Sequence, residues 1–439
     1  MTRTLRCLLA TFWLLTASLC WGSTEFALHR FSTGVMNDGK EPTSTLMRDS
    51  LGNFYGTTCC GGTNGDGTVF ELSPPFSGTV WTYSILHQFS NSDGIFPDSP
   101  LLLDSSGNLY GTAANGGANN GGTIFELTPV GSAWTFSVLY SFCPGHNFCN
   151  GSSDGNEPTD RLAMDASGSI YGTTEFGGAH GEGTVWKASL IGGTWTENVL
   201  VSWSDANTLP TGVILDSTGS YLYGANAGSG NTSCIGWFFG GCGAVWRLRL
   251  SDSTLSFPYY FKGVANLDGS TPRGDLIFDS SGNLYGTTLT GGTGSCVDSN
   301  GKTIGCGTVF RLSPTSPTGT SWTETVLYNF TGNSIGDGRF PTSELVIDSS
   351  GDLYGTTSSY LYPLGSYGNG AVFKLTPPSP PTGTWSESTL HAFQGGNDGS
   401  RPPAGLVLDS GRLYGVTLLG GSTTACTGQG CGTVFEVIP

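Results

Sequence analysis

The stretch "DSSGNLYGTTLTGG", residues 279–292, decides the fold, because the chain repeats it with variations at six other places. An Asp side chain accepts backbone N–H groups a few residues on, and glycine takes a positive φ at no steric cost, so "DSSGN" reads as a tight hairpin turn. The "NLYGTT" that follows is an extended run. Glycine inside such a run costs conformational entropy and marks close approach, here expected from another backbone near a crowded axis. The trailing "LTGG" leaves the strand and opens a loop.

Aligned on "YG", the copies place Tyr55, Tyr110, Tyr171, Tyr223, Tyr285, Tyr354 and Tyr414 in register, each after a turn that starts at Asp49, Asp104, Asp165, Asp216, Asp279, Asp348 or Asp409. A period of about 60 residues containing only strand signals predicts propeller blades rather than helical solenoid units. Four runs recur in each copy, exemplified by "GDLIFD", "NLYGTT", "GTVFRL" and "WTETVLYNF", the last rich in β-branched and aromatic residues.

The phase of the repeat predicts how the ring closes. The segment "TEFALHRF", residues 24–31, resembles the fourth run "WTYSILHQF", whereas the chain closes on a third run, "GTVFEVIP". The expected fold is therefore all-β: a seven-bladed β-propeller of four-stranded antiparallel blades over residues 24–439. Its N-terminal strand completes the C-terminal blade by lying beside residues 432–437, so that no blade keeps an unpaired neighbour.

Residues 1–23, "MTRTLRCLLATFWLLTASLCWGS", have the layout of a secretory signal peptide, and their apolar run is short for a membrane span. Leu19 is bulky in front of Cys20, which argues against a lipidated cysteine. The expectation is a secreted, cell-surface or periplasmic chain without a transmembrane span. Loss of Arg3 and Arg6 with the leader leaves 15 cations against 33 acids, a charge of −18 that phosphate backbones would repel, so nucleic acid is not an expected partner.

Ten cysteines remain beyond the leader in close pairs: Cys59/Cys60, Cys143/Cys149, Cys234/Cys242, Cys296/Cys306 and Cys426/Cys431. Such pairs in an exported chain read as disulfides closing loops. Adjacent Cys59 and Cys60 would form a distorted vicinal ring or find other partners. None of the pairs has the spacing of a structural zinc site.

The units "DSSGNLYGTT" and "GTVFEL", with "GG" between them as in "CCGGTNGDGTVF", resemble the repeat of the GloVer, or choice-of-anchor, tandem-repeat family across residues 24–439. The resemblance implies an exported, repeat-built protein and supplies no catalytic residues. This chain ends at its last strand, so surface anchoring is not carried over.

Function is sought in the loops that vary. His29, His87 and His391 share a position where other blades have Tyr140, Val201 and Tyr328, which marks it as structural. The cluster Glu175, His180 and Glu182 in "EFGGAHGEGTVW" offers acid/base groups or a solvated turn. Crossing-loop aspartates Asp38, Asp93, Asp154, Asp205, Asp268, Asp337 and Asp398 could ring one mouth of the channel. Calcium, however, wants six to eight closely placed oxygens. No cofactor or metal is expected, calcium being the weakly supported exception.

Two loops concentrate aromatic residues: Trp237, Phe238 and Phe239 in "CIGWFFGGC", and Tyr360, Tyr362 and Tyr367 in "SSYLYPLGSYGNG". Exposed, they would suit sugar rings or a protein partner; folded down, they would complete a neighbouring blade. The expectation is a monomeric, non-catalytic binding module that recognises extracellular carbohydrate or a surface protein through its loop face. The alternatives are a propeller lyase or hydrolase acting on an extracellular polysaccharide, and a purely structural envelope protein.

Overall fold

The computed structural model describes residues 24–32, 38–144, 153–205, 208–230, 234, 241–316, 321–332, 338–358, 360–361, 365–366, 368–379, 383–421 and 426–439. Blade 5 shows how one repeat folds. Its inner strand comes in two pieces, Gly269–Pro272 and Ile277–Phe278, which both pair antiparallel with the second strand, Leu284–Gly291. The third strand, Thr308–Pro314, and the outer strand, Trp322–Asn329, follow by antiparallel pairing. Seven blade sheets succeed one another, and a separate small hairpin, Tyr360–Leu361 paired with Gly365–Ser366, lies in a loop of blade 6.

The turn behaves as its residues require. Asp279 Oδ1 accepts the N–H groups of Ser281 and Asn283, both at 2.9 Å, and Gly282 takes φ +80°. The tyrosine of "YG" then donates its hydroxyl to the other oxygen of the same aspartate, 3.1 Å for Tyr285 and 2.8 Å for Tyr171. Turn and second strand are thus tied by one carboxylate.

The glycine of "YG" has a different reason from the one expected. A Cβ on Gly286 would come 2.7 Å from Phe310 Cζ and 2.9 Å from a Leu276 methyl. The crowding comes from a third-strand aromatic and an inner-strand leucine, not from another backbone. Phe70, Phe125, Trp186, Trp246, Phe373 and Phe435 fill the same place in the other blades.

Seven clusters of buried apolar side chains hold the ring, each spanning a seam between two neighbouring blades. The seam that joins the chain ends is built like the rest. Thr24–Arg30 pairs antiparallel with Thr433–Ile438, from Thr24 opposite Ile438 to Arg30 opposite Thr433. Just beyond, Phe31 is fully buried against Leu46, Phe54, Phe70 and Val434. Closure therefore uses an ordinary outer strand that happens to come from the other end of the chain.

Candidate functional site

Between its two pieces, the inner strand leaves the sheet for a few residues and turns into the central channel. Thr45, Asp98, Asp160, Arg273, Asp275 and Glu344 line a cavity of about 80 Å³ there. Arg161 of blade 3 reaches Glu344 of blade 6 across the channel, Nη1 to Oε2 at 2.6 Å. Gly212 N donates to Asp275 Oδ1 at 2.9 Å, and Gly405 N donates to Thr45 Oγ1 at 2.9 Å. Both glycines are needed for space: a Cβ on Gly212 would lie 2.5 Å from Asp275 Oδ1, and one on Gly405 would overlap Glu344 Cγ.

The channel carboxyls are poorly solvated and crowd one another. Burial pushes Asp98 up to about 7, helped by the charge of Glu175. Burial, then Glu344, pushes Asp275 to about 7 against the pull of Arg161. Asp160 is raised well above the carboxylate range by burial and then by Asp275. Each of these carboxyls thus holds a proton more tightly than a solvated one, while the Glu344 carboxylate strengthens the hold of Arg161 on its own proton. Asp98 Oδ1 is buried with no hydrogen-bond partner among the described residues.

The crossing-loop aspartates do other work. Asp154 Oδ2 accepts the N–H of Cys143 at 2.7 Å and the hydroxyl of Tyr140 at 3.0 Å. Asp268 does the same for Lys262 N and Tyr259, both at 2.8 Å. At histidine positions the ring takes the tyrosine's place, with His87 Nε2 to Asp93 at 3.0 Å and His391 Nε2 to Asp398 at 2.9 Å. Asp93, Asp154, Asp268 and Asp398 thus hold the ends of the outer strands, each in its own seam. Asp337 lies outside the described residues.

The disulfides Cys234–Cys242, Cys296–Cys306 and Cys426–Cys431 are formed, and Cys143 is bonded, although Cys149 lies outside the described residues. Cys59 and Cys60 are unbonded, with their Sγ atoms 2.7 Å apart and Cys59 facing Glu41. His180 is exposed, whereas Glu175 and Glu182 are half-buried, and Glu175 acts on the channel acids Asp98 and Asp160. Trp237, Phe238, Phe239, Tyr362 and Tyr367 lie outside the described residues, and only the backbone of Tyr360 is described.

A larger concavity of about 770 Å³ opens at the ring-closing seam, on the side of the hairpin turns. Phe26, Val80, Trp81, Arg412, Tyr414 and Glu436 line it. Trp81 packs 6.2 Å from the Tyr414 ring, and Arg412 Nη1 pairs with Glu436 Oε1. The sequence reading missed both the channel and this groove. A signal for the channel existed in "PDSPL", "PTDRL", "PRGDL" and "PTSEL", where charged residues vary inside an otherwise regular first run.

No curated protein matches the chain in sequence. Among solved structures, the polysaccharide lyase Uly1 is similar at 10% identity over 91% of each chain, with a TM-score of 0.50. An ulvan lyase of family PL25 matches at 9% identity over 93% of this chain and 94% of that one, TM-score 0.49. The periplasmic gluconolactonase PpgL of Pseudomonas aeruginosa matches at 12% identity over 91% and 98%, TM-score 0.48. At these identities the shared feature is the propeller fold. Among the described residues no helix is long and apolar enough to cross a membrane, and the disulfides are consistent with an extracellular chain. The repeat pattern itself carries the kinship: matching over residues 14–239 and again over 238–439, it shows that the chain belongs to the Gloeobacter/Verrucomicrobia repeat family.

Proposed function

We propose that this protein is an exported binding module that holds an extended saccharide on its surface without turning it over. The observation that carries this reading is the separation of acid chemistry from space. Small-molecule sites occupy roughly 300–1,000 Å³. The acid-lined channel offers about 80 Å³, room for a few waters and not for a sugar ring. The groove of about 770 Å³ has the room, yet its carboxylate, Glu436, is paired with Arg412. Its tryptophan and tyrosine offer flat apolar faces of the kind that stack on sugar rings. In this reading the aromatic loops around Trp237 and Tyr360 are a second contact surface.

Retention on a panel of insoluble polysaccharides, with sugar release measured in the same samples, tests it. Expected is retention without release, weakened at least tenfold by Trp81→Ala. Release of sugar would overturn the reading. One observation favours the lyase or hydrolase alternative: carboxyl groups near neutrality, as at Asp98 and Asp275, are suited to proton transfer. In that case Asp98→Asn would abolish the release.

A further inference from the structure

The seam between blades 6 and 7 brings together a histidine and a glutamate that its equivalents keep apart, and with the crossing aspartate they make a set of metal ligands. At two seams the histidine beside the crossing aspartate stacks on an aromatic ring of the next outer strand: His29 on Tyr83 at 3.9 Å and His87 on Phe136 at 3.6 Å. At the third, the next outer strand is the N-terminal one, and Glu25 stands where the ring would be; Glu197 and Glu324 take the same strand position, but there they meet Tyr140 and Tyr259 rather than a histidine. Glu25, His391 and Asp398 bring one ligand atom each within 4.8 Å of one another.

We propose that Glu25, His391 and Asp398 bind one Zn²⁺ ion that clips the N-terminal strand to blade 6 and locks the ring. Two observations besides proximity support this. Glu25 Oε1 is buried and has no hydrogen-bond partner among the described residues. Its carboxyl also stands against that of Asp398, a meeting of two acids that a cation relieves. The Arg30 Nε is turned to the carbonyl of Asn397, at 3.4 Å.

The donor set selects the metal. One imidazole nitrogen and two carboxylates, with water completing the shell, match a three-ligand zinc site. Calcium needs six to eight oxygens. Ligand atoms about 2.0–2.2 Å from zinc lie roughly 3.5 Å from one another, so the His391–Asp398 bond opens to admit the ion. Binding releases the His391–Asp398 hydrogen bond and any proton held on Glu25.

The test uses the exported chain, stripped with a chelator, in calorimetric titration and thermal melts with Zn²⁺ and, separately, Ca²⁺. Expected are one equivalent of Zn²⁺ bound, a rise of a few degrees in melting temperature and no response to Ca²⁺. Glu25→Gln should raise the metal-free melting temperature at pH 8 and weaken Zn²⁺ at least tenfold. His391→Tyr keeps a bond to the aspartate, as Tyr259 does to Asp268, and should lose Zn²⁺ equally. His87→Phe should leave zinc affinity unchanged. The proposal is overturned if no zinc binds, if calcium stabilises equally, or if either ligand variant responds to zinc as the parent does.

Discussion

Replacing Phe31 with alanine tests ring closure through a single side chain. Phe31 is fully buried, and its ring meets those of His29, Phe70 and Tyr83 at 4.7, 5.4 and 5.8 Å. It belongs to the N-terminal segment but packs on Phe70 and Leu46 of blade 1, so its loss opens a cavity in the seam that joins the ends. Buried Phe→Ala substitutions cost about 3–5 kcal/mol. Phe26, on the same strand and 48% exposed, is the internal control, and its replacement should cost no more than about 0.5 kcal/mol. Urea unfolding followed by tryptophan fluorescence reads both, because a stability change at constant slope appears as a midpoint shift. Neighbouring blades support one another, so damage at one seam should weaken the whole ring. If Phe31→Ala unfolds at the same urea concentration as Phe26→Ala, the N-terminal strand does not close the ring.

Three further outcomes follow. Burial, then Asp154, pushes Glu197 up to about 9, so the native state holds a proton that the unfolded chain releases near 4.5. Stability should therefore fall as pH rises from about 4.5 through 9, and Glu197→Gln should flatten that fall and gain about 2 kcal/mol at pH 9 in pH-dependent melts. Gly405→Ala should cost about 1–3 kcal/mol by overlap with Glu344; in a Glu344→Ala background the same change should be close to neutral, as a double-mutant cycle in urea will show. Replacing Trp237, Phe238 and Phe239 together with alanine should weaken polysaccharide retention while leaving the melting temperature unchanged; a collapsed melt would make those rings core instead.

The scaffold was legible because its causes are local and repeated. An Asp that accepts N–H groups at Ser281 and Asn283 needs no distant partner, so "DSSGN" announces its turn wherever it occurs. The phase of "TEFALHRF" against "GTVFEVIP" predicted which strand closes the ring, and the register of Thr24 on Ile438 agrees. The role of Gly286 was misread because its neighbour, Phe310, comes from the next strand, at a depth that sequence spacing does not reveal. The channel escaped notice for a stronger version of the same reason. Arg161 and Glu344 are half a ring apart in sequence and meet only once the ring is closed.

In a repeat protein the informative positions are those where the fold would accept the consensus and the chain declines it. Arg161, Gly212, Asp275, Glu344 and Gly405 stand at one position of the inner segment, and they differ in a compensating way. The small members sit where the large ones need room: Gly212 beside Asp275, Gly405 beside Glu344. Such complementarity cannot come from the blade, since each partner belongs to a different one. It is imposed by the lumen, which is filled by an ion pair and by acids whose raised proton affinity removes their charge. The rim shows the same logic at His391, which meets Glu25 where the matching glutamates Glu197 and Glu324 meet tyrosines. Acid groups here concentrate where neighbouring blades or chain ends must be held at a fixed distance. That distribution makes the channel a lock on the ring, and in the proposed reading recognition falls to the aromatic surfaces outside it.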